Sequence, residues 1–147
     1  MIAHARAVVQ GVARKDYEGE ARAIFDHVKG TVRYVHDPAG LETLVDPRWL
    51  LWVVGAEDCD GMAALTAALG LALGMGAAFT TVATRCEVDP RTGQQSCPWA
   101  HVYATLGIPR GDKVEWIAAD TAEGDHLGWE PPAHAVRRKR TWIVANP

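Results

Sequence analysis

Cysteine is scarce in this chain, with three residues in 147, at positions 59, 86 and 97, and no Cys-x-x-Cys pair. There is also no His-Glu-x-x-His run, so the sequence offers no zinc site with familiar ligand spacing. Cys86 and Cys97 would need two more ligands, and His101 could supply only one of them. A phosphate-cradling glycine loop and a Gly-x-Ser-x-Gly elbow are missing as well. No metal or cofactor is expected. The net charge is only -3, which gives no reason to expect general nucleic-acid affinity. The opening Met1-Ile2-Ala3-His4-Ala5-Arg6 has neither the charged lead nor the apolar block of a secretory signal, so a cytoplasmic setting is expected. In that setting Cys86 and Cys97 are better read as reduced thiols than as a disulfide, although both states are open.

Charge is absent from Gly61 to Thr84, and a run of about 20 apolar residues can span a bilayer. This run is mostly alanine and glycine, holds four threonines, and is interrupted by Gly74-Met75-Gly76. It is read as a buried helix followed by a buried strand, with no membrane span. The chain is 48% hydrophobic and long enough for one domain with its own core, so residues 1–147 are taken as a single domain.

The helices come first. Residues 2–13 form a candidate helix. A second runs from about Tyr17 to Tyr34, with Asp16 as N-cap and Ala21, Ile24, Phe25, Val28 and Val32 on one stripe. Asp37-Pro38-Ala39-Gly40 supplies turn chemistry to end it. Asp46-Pro47 opens a short helix or buried loop that carries Trp49 and Trp52. A third long helix, from about Cys59 to Leu73, is apolar all round and should be surrounded by protein. Strands are expected near 78–87, 98–106, 113–119 and 140–145, separated by turn signals at Asp89–Gly93 and Ile108–Asp112. Their close spacing suggests an antiparallel meander. Helices followed by strands indicate an α+β fold, with a central buried helix packed on about four antiparallel strands.

The chemistry-bearing residues fall at element ends. Cys59 follows a natural N-cap, Asp58, at a helix start, where the helix dipole favours a thiolate and free backbone N–H groups can meet an oxyanion. Glu57, Asp58 and Asp60 surround it with negative charge that acts in the opposite sense, and a dipole worth about 0.3–1 kcal/mol would not offset carboxylates close to the sulfur. A cationic partner is therefore required. His101 lies in a strand with Trp99, Tyr103 and Thr105 on its face and is the candidate base. Asp120 closes the next strand, where a carboxylate can hold the second imidazole N–H. The plain structural readings are a small buried cysteine, a cross-strand histidine and an Asx-type turn. Asp112 and Asp125 are rival orienters in probable loop segments. Arg137-Arg138-Lys139-Arg140 reads either as a solvated strand edge or as a contact for an acidic partner.

These residues resemble a transglutaminase-like domain of the papain-like cysteine enzyme superfamily, in its compact bacterial and phage form. The helix Ala21–Val28, the exit Val32-Arg33-Tyr34-Val35-His36-Asp37-Pro38, Asp58-Cys59-Asp60-Gly61, His101-Val102-Tyr103 and the Trp116–Asp120 strand carry the resemblance over roughly residues 17–130. It implies Cys59 as nucleophile, His101 as base and acid, and Asp120 as orienter of a triad that transfers acyl groups through a thioester. Trp52 and Trp49 become candidate oxyanion donors, while Asp60, Trp99 and Tyr103 are candidate substrate contacts. The sequence departs from the family at Glu57, where a glycine is usual. The segments Asp37–Glu42 and Asp46–Leu50 are similar to phage-encoded members, which implies a possible virion association and phage structural partners. The expected function is an amide or peptide hydrolase or transamidase acting on a protein or peptidoglycan substrate. The alternatives are a non-catalytic structural or assembly protein, or a peptide-binding module that keeps the fold.

Overall fold

The computed structural model describes residues 1–38 and 43–147. Part of the turn predicted after the second helix, Ala39 and Gly40, lies outside the described residues, as do Leu41 and Glu42 of the phage-like segment.

The helical layer comes from the first half of the chain. Helix α1 spans Ile2–Val8, shorter than the expected 2–13, because tight turns from Gln10 to Ala7 and from Val12 to Val9 replace helical bonds before Gly11 can continue it. Helix α2 spans Tyr17–Thr31, with the Asp16 carboxylate accepting from the Gly19 N–H at 3.0 Å. Its stripe of Ala21, Ile24, Phe25 and Val28 is buried as the periodicity predicts. The chain then enters a short strand β1, Arg33–Tyr34, which pairs in parallel with β2, Ala56–Glu57. Between them, α3 (Pro47–Trp49), capped by Asp46, passes into a wider turn over Leu50–Val54 closed by the Gly55 N–H on the Leu50 carbonyl. Gly55 takes the left-handed conformation that this exit needs. Helix α4, Cys59–Ala72, is the central one: Met62, Leu65 and Leu69 are buried in the main core with Ile24, Phe25 and Val28 of α2.

The sheet holds β3 (Gly76–Ala83), β6 (His101–Arg110), β7 (Lys113–Ala119) and β8 (Arg138–Ala145), all antiparallel, in the order β7-β6-β3-β8. The first three strands form the expected meander. The fourth departs from it: β8 does not follow β7 but crosses to the opposite edge and pairs with β3. The segment 121–137 makes that crossing over the sheet face away from the helices, where Val136 packs on Val82, Tyr103 and Ala118. Strand β6 runs on through Pro109, past Gly107, the last residue it pairs with β3, at a free strand end where a missing N–H matters least. The turn therefore falls at Gly111, in the left-handed region.

Between β3 and β6 a small hairpin projects, made of β4 (Glu87–Val88) and β5 (Gln95–Ser96), turning at Asp89–Gly93 as predicted. Cys86 and Cys97 at its base form a disulfide. This corrects the preference for reduced thiols: the hairpin pairing brings the two side chains together, and the bond consumes the sulfur atoms that a zinc site would have needed. Among the described residues no helix is long and apolar enough to cross a membrane.

The helix layer depends on α4, whose Ala63 and Ala67 sit against Ala77 and Ala104 of the sheet. Small side chains here let helix and sheet approach closely. Leu65, fully buried at the centre of the adjacent core, should tolerate truncation poorly. A Leu65→Ala substitution is expected to cost about 2–5 kcal/mol, read as a lowered urea midpoint at unchanged slope.

Candidate active site

Three elements converge at one end of the sheet. The first is the start of α4. The Asp58 carboxylate accepts from the Asp60 N–H at 3.1 Å, and Cys59 opens the helix, half-buried. The approach to it is clamped from the side, because the Arg33 N–H donates to the Gly55 carbonyl and the Val35 N–H to the Glu57 carbonyl. The second element is the first residue of β6, His101, which lies opposite Val82 of β3 and is buried. The third is Asp120, directly after β7 and fully buried.

Asp120 Oδ2 accepts from His101 Nε2 at 2.6 Å. Its other oxygen accepts from the Ala122 and Glu123 N–H groups at 3.2 and 3.0 Å. The Asx-type turn and the orienting carboxylate, posed as alternatives by the sequence, are thus one arrangement in which each oxygen does one task. Gly124 closes the turn, and a Cβ there would lie 2.6 Å from the Asp120 carbonyl oxygen. With Nε2 engaged, Nδ1 is the ring nitrogen left for a partner, and His101 shares a cleft of about 300 Å³ with Cys59. Burial works against a charged ring. The hydrogen bond to Asp120, the contact with Cys59 and the charges of Asp120 and Glu123 outweigh it, and His101 is pushed up to about 10.

The cleft is walled by Asp58 and Asp60 on one lip and by Trp99, Ala100 and Thr81 on the other. Asp60 and Trp99, both expected as substrate contacts, are thus among the residues that line it. Tyr103 does not line the cleft: it is buried behind His101, at 6.0 Å between ring centroids, and its hydroxyl donates to Glu130 at 2.9 Å. Burial and that carboxylate hold its phenol well above its usual range.

Trp49 and Trp52 are a clearer correction. The wide turn after α3 buries Leu50 and turns both indoles to solvent, where they flank a separate groove with Arg48 and Val53 and Trp52 meets His4 edge-on. Neither lines the Cys59 cleft. Asp112 is exposed in the β6–β7 turn, and Asp125 is exposed and bonded to His126, so neither rival orienter meets the imidazole.

The residues that sequence reasoning missed are Tyr34, Thr81 and Glu123. Tyr34 pairs with Glu57, two residues before Cys59, and burial comes first in raising its phenol, followed by the charges of Cys59, Asp58, Glu123 and Asp120. Its signal was the position of Tyr34 at the end of the helix exit, with nothing to show that β1 would pair with β2.

Glu57 carries an unexpected structural role. It is more than nine-tenths buried, and its side chain fills the space that the missing Cβ of Gly61 leaves: a Cβ there would fall 1.9 Å from Glu57 Cγ. Glu57, Asp58 and Asp60 each offer an oxygen within 4.8 Å of the others. Oε1 of Glu57 and Oδ1 of Asp60 are buried without a hydrogen-bond partner among the described residues. Burial first, then the Asp58 hydrogen bond and the neighbouring carboxylates, push Asp60 up to about 7. Burial likewise raises Glu57.

Among solved structures, a Cytophaga hutchinsonii protein named as a candidate cysteine protease superposes with a TM-score of 0.59 at 16% identity, over 99% of this chain and 46% of its own. This chain thus spans about half the length of that protein. Calcium-bound LapG of Legionella pneumophila superposes with a TM-score of 0.61 at 12% identity, over 96% of this chain and 76% of its own. EGTA-treated LapG gives 0.58 at 15% identity, over 96% of this chain and 74% of its own. The chain has a papain-like, transglutaminase-like α+β fold. No family profile and no curated protein sequence matches it.

A ring raised from 6.5 to about 10 adds stability that is fully present below pH 6.5 and is lost as pH rises through 10. The melting temperature should therefore fall between pH 6.5 and 10. In His101→Gln that portion of the decline should vanish; an unchanged slope in the variant would separate His101 from the effect.

Proposed function

We propose that the chain is a thiol-dependent acyl-transfer enzyme that opens an amide or peptide bond in a protein or peptidoglycan substrate. The observation that carries this reading is the buried 2.6 Å bond from His101 to Asp120, with the same imidazole facing a cleft that holds Cys59 at a helix N-terminus. A ring that keeps its proton at neutral pH favours a resting thiolate–imidazolium pair. The thiolate attacks the substrate carbonyl, and the Cys59 N–H at the start of α4 receives the oxyanion, the Asp60 N–H being held by the Asp58 carboxylate. His101 then gives its proton to the leaving amine. A thioester remains on Cys59, and water or an amine, deprotonated by His101, releases the acyl group. The protease fold of the solved neighbours supports a peptide-bond substrate.

Turnover needs the imidazolium, so its alkaline limb should lie near pH 10 in the native chain. In Asp120→Asn that limb should move toward 6.5, and kcat should fall by orders of magnitude. Cys59→Ala should fold normally and lose both turnover and iodoacetamide labelling. Turnover retained by Cys59→Ala would exclude the mechanism. A folded native chain with an inert thiol would favour the alternative of a non-catalytic assembly or peptide-binding protein.

The acidic triplet favours a second, compatible property, a divalent cation held by Glu57, Asp58 and Asp60. Hard oxygen donors in a group of three suit calcium, and two of their buried oxygens lack partners. LapG has been solved in calcium-bound form. A bound cation would also offset the negative charge beside Cys59. Calcium at one hundred times its dissociation constant should stabilise the chain by about 2.7 kcal/mol, seen as a raised melting temperature that EGTA reverses. Gly61→Ala, whose methyl would displace Glu57, should remove that response. A melting temperature indifferent to calcium in the native chain would eliminate the cation.

A further inference from the structure

The basic run at 137–140 is not absorbed by the chemistry above, and the strand order gives it a location. Thr81, on the wall of the Cys59 cleft, pairs with Val102 on one side and with Arg140 on the other. Ala83 pairs with Arg138. Residues directly opposite in an antiparallel pair project from the same face, so Arg138 and Arg140 stand on the helix side of the sheet, next to the cleft wall. Lys139 alternates to the other face and is paired with Glu130 at 2.5 Å. Among the described residues neither Arg138 nor Arg140 has a carboxylate partner, and both are exposed.

Both guanidinium groups are nevertheless held in place. Arg138 lies over the ring of Trp99, itself a cleft residue, at 4.4 Å from the centroid, and Arg140 lies over Trp142 at 3.5 Å. Stacking occupies the face of a guanidinium and leaves its in-plane N–H donors free, in the fork that takes a carboxylate through two bonds. The two arginines leave alternate residues of one strand, roughly 6.5–7 Å apart at the backbone, the same repeat at which side chains i and i+2 leave an extended peptide. The opposite lip carries Asp58 and Asp60, so the cleft is polarised across its width.

We propose that Arg138 and Arg140 form a substrate subsite that selects a peptide with two acidic side chains at alternate positions, laid extended along β8 beside Cys59. This deepens the acyl-transfer reading and rests on it for the placement of the scissile bond. The pair of carboxylates meets the two stacked forks, and the acidic lip repels the same segment from the other side. The cleft therefore fixes the direction in which a substrate lies as well as its composition.

The test measures binding, not turnover. Cys59→Ala protein is titrated into a fluorescein-labelled heptapeptide with glutamates at its second and fourth positions, into its di-glutamine counterpart, and into a labelled ten-nucleotide single strand. The di-glutamate peptide should bind roughly tenfold more tightly than the di-glutamine one, and the difference should shrink as salt is raised from 50 to 500 mM. R138Q/R140Q should erase the difference at an unchanged melting temperature. R138E/R140E should invert it in favour of a di-lysine peptide. Equal binding of the di-glutamate and di-glutamine peptides would overturn the subsite, as would discrimination that survives R138Q/R140Q. Tighter binding of the oligonucleotide than of the di-glutamate peptide, lost in R138Q/R140Q, would also overturn it by making the cluster a nucleic-acid contact. An inert thiol with intact peptide discrimination would count against the acyl-transfer chemistry alone, whereas a reactive thiol with no discrimination would count against the subsite alone.

Discussion

The functional end of this molecule is organised around one buried carboxylate. Asp120 is completely shielded from solvent, yet it accepts three hydrogen bonds: two from the backbone of its own turn and one from His101. Burying a polar group without partners is costly, so the turn after β7 must keep its shape and the imidazole must stay within reach for the Asp120 carboxyl to be satisfied. The same group thus fixes local backbone and ring orientation together. Thr121, the next residue, bonds Thr66 of α4 at 3.2 Å, and Thr66 also donates to the Met62 carbonyl one turn after the helix start. A polar thread therefore runs from the helix that begins with Cys59 to the turn that holds Asp120, through an otherwise apolar interior. Helix and sheet are tied at the level where their relative position decides whether sulfur and imidazole can meet.

Electrostatics at this end pull in two directions. Three carboxylates lie around Cys59, and His101, which shares its cleft, keeps its proton despite burial. The hydrogen bond to Asp120, followed by the contact with Cys59, is what outweighs burial at the ring. The residual problem is the acidic triplet itself, with two buried oxygens unpartnered among the described residues. An unpaired buried polar group costs about 1–3 kcal/mol, and more when charged. Gly61 opens the space that lets Glu57 occupy this position, so the geometry is specific to these residues and is not loose packing at a helix end. A structure that accepts this cost beside Cys59 has reason to use the charge there.

Much of this was legible from residue order. The stripe of α2, the all-round apolar α4 and its N-cap at Asp58 follow from periodicity and capping chemistry, which act within a few residues. His101 and Asp120 stood out because polar groups at the ends of apolar strands need partners, and each proved to be the other's. What was not legible depends on long-range placement. Trp49 and Trp52 have the composition of cleft residues, but a single wide turn, closed by the Gly55 N–H on the Leu50 carbonyl, rotates them to solvent. The disulfide depends on hairpin register between Cys86 and Cys97, which compartment reasoning could not supply. Glu57 stood out only as a charge near the sulfur and a departure from the usual glycine, and its side chain instead fills the space beside Gly61 in the first turn.

The position of β8 is the feature whose consequences reach furthest. Strand proximity in sequence argued that the last strand would extend the meander beyond β7. That would have set Arg138 and Arg140 two strands away from Thr81 and the cleft. The chain leaves β7 through the Asp120 turn and needs the whole of 121–137 to cross the sheet, with Glu130 bonded to Tyr103 and Val136 packed on it. That crossing covers the back of His101 with protein and delivers β8 to the edge next to β3. One excursion therefore backs the strand that carries His101 and lays a basic strand beside the wall of the cleft. The edge strand that completes the sheet also keeps charge on its exposed rim, which opposes pairing with another chain in the absence of a complementary one. An acidic peptide is the complementary one, so the feature that protects this edge from indiscriminate pairing is the same feature that would make it selective.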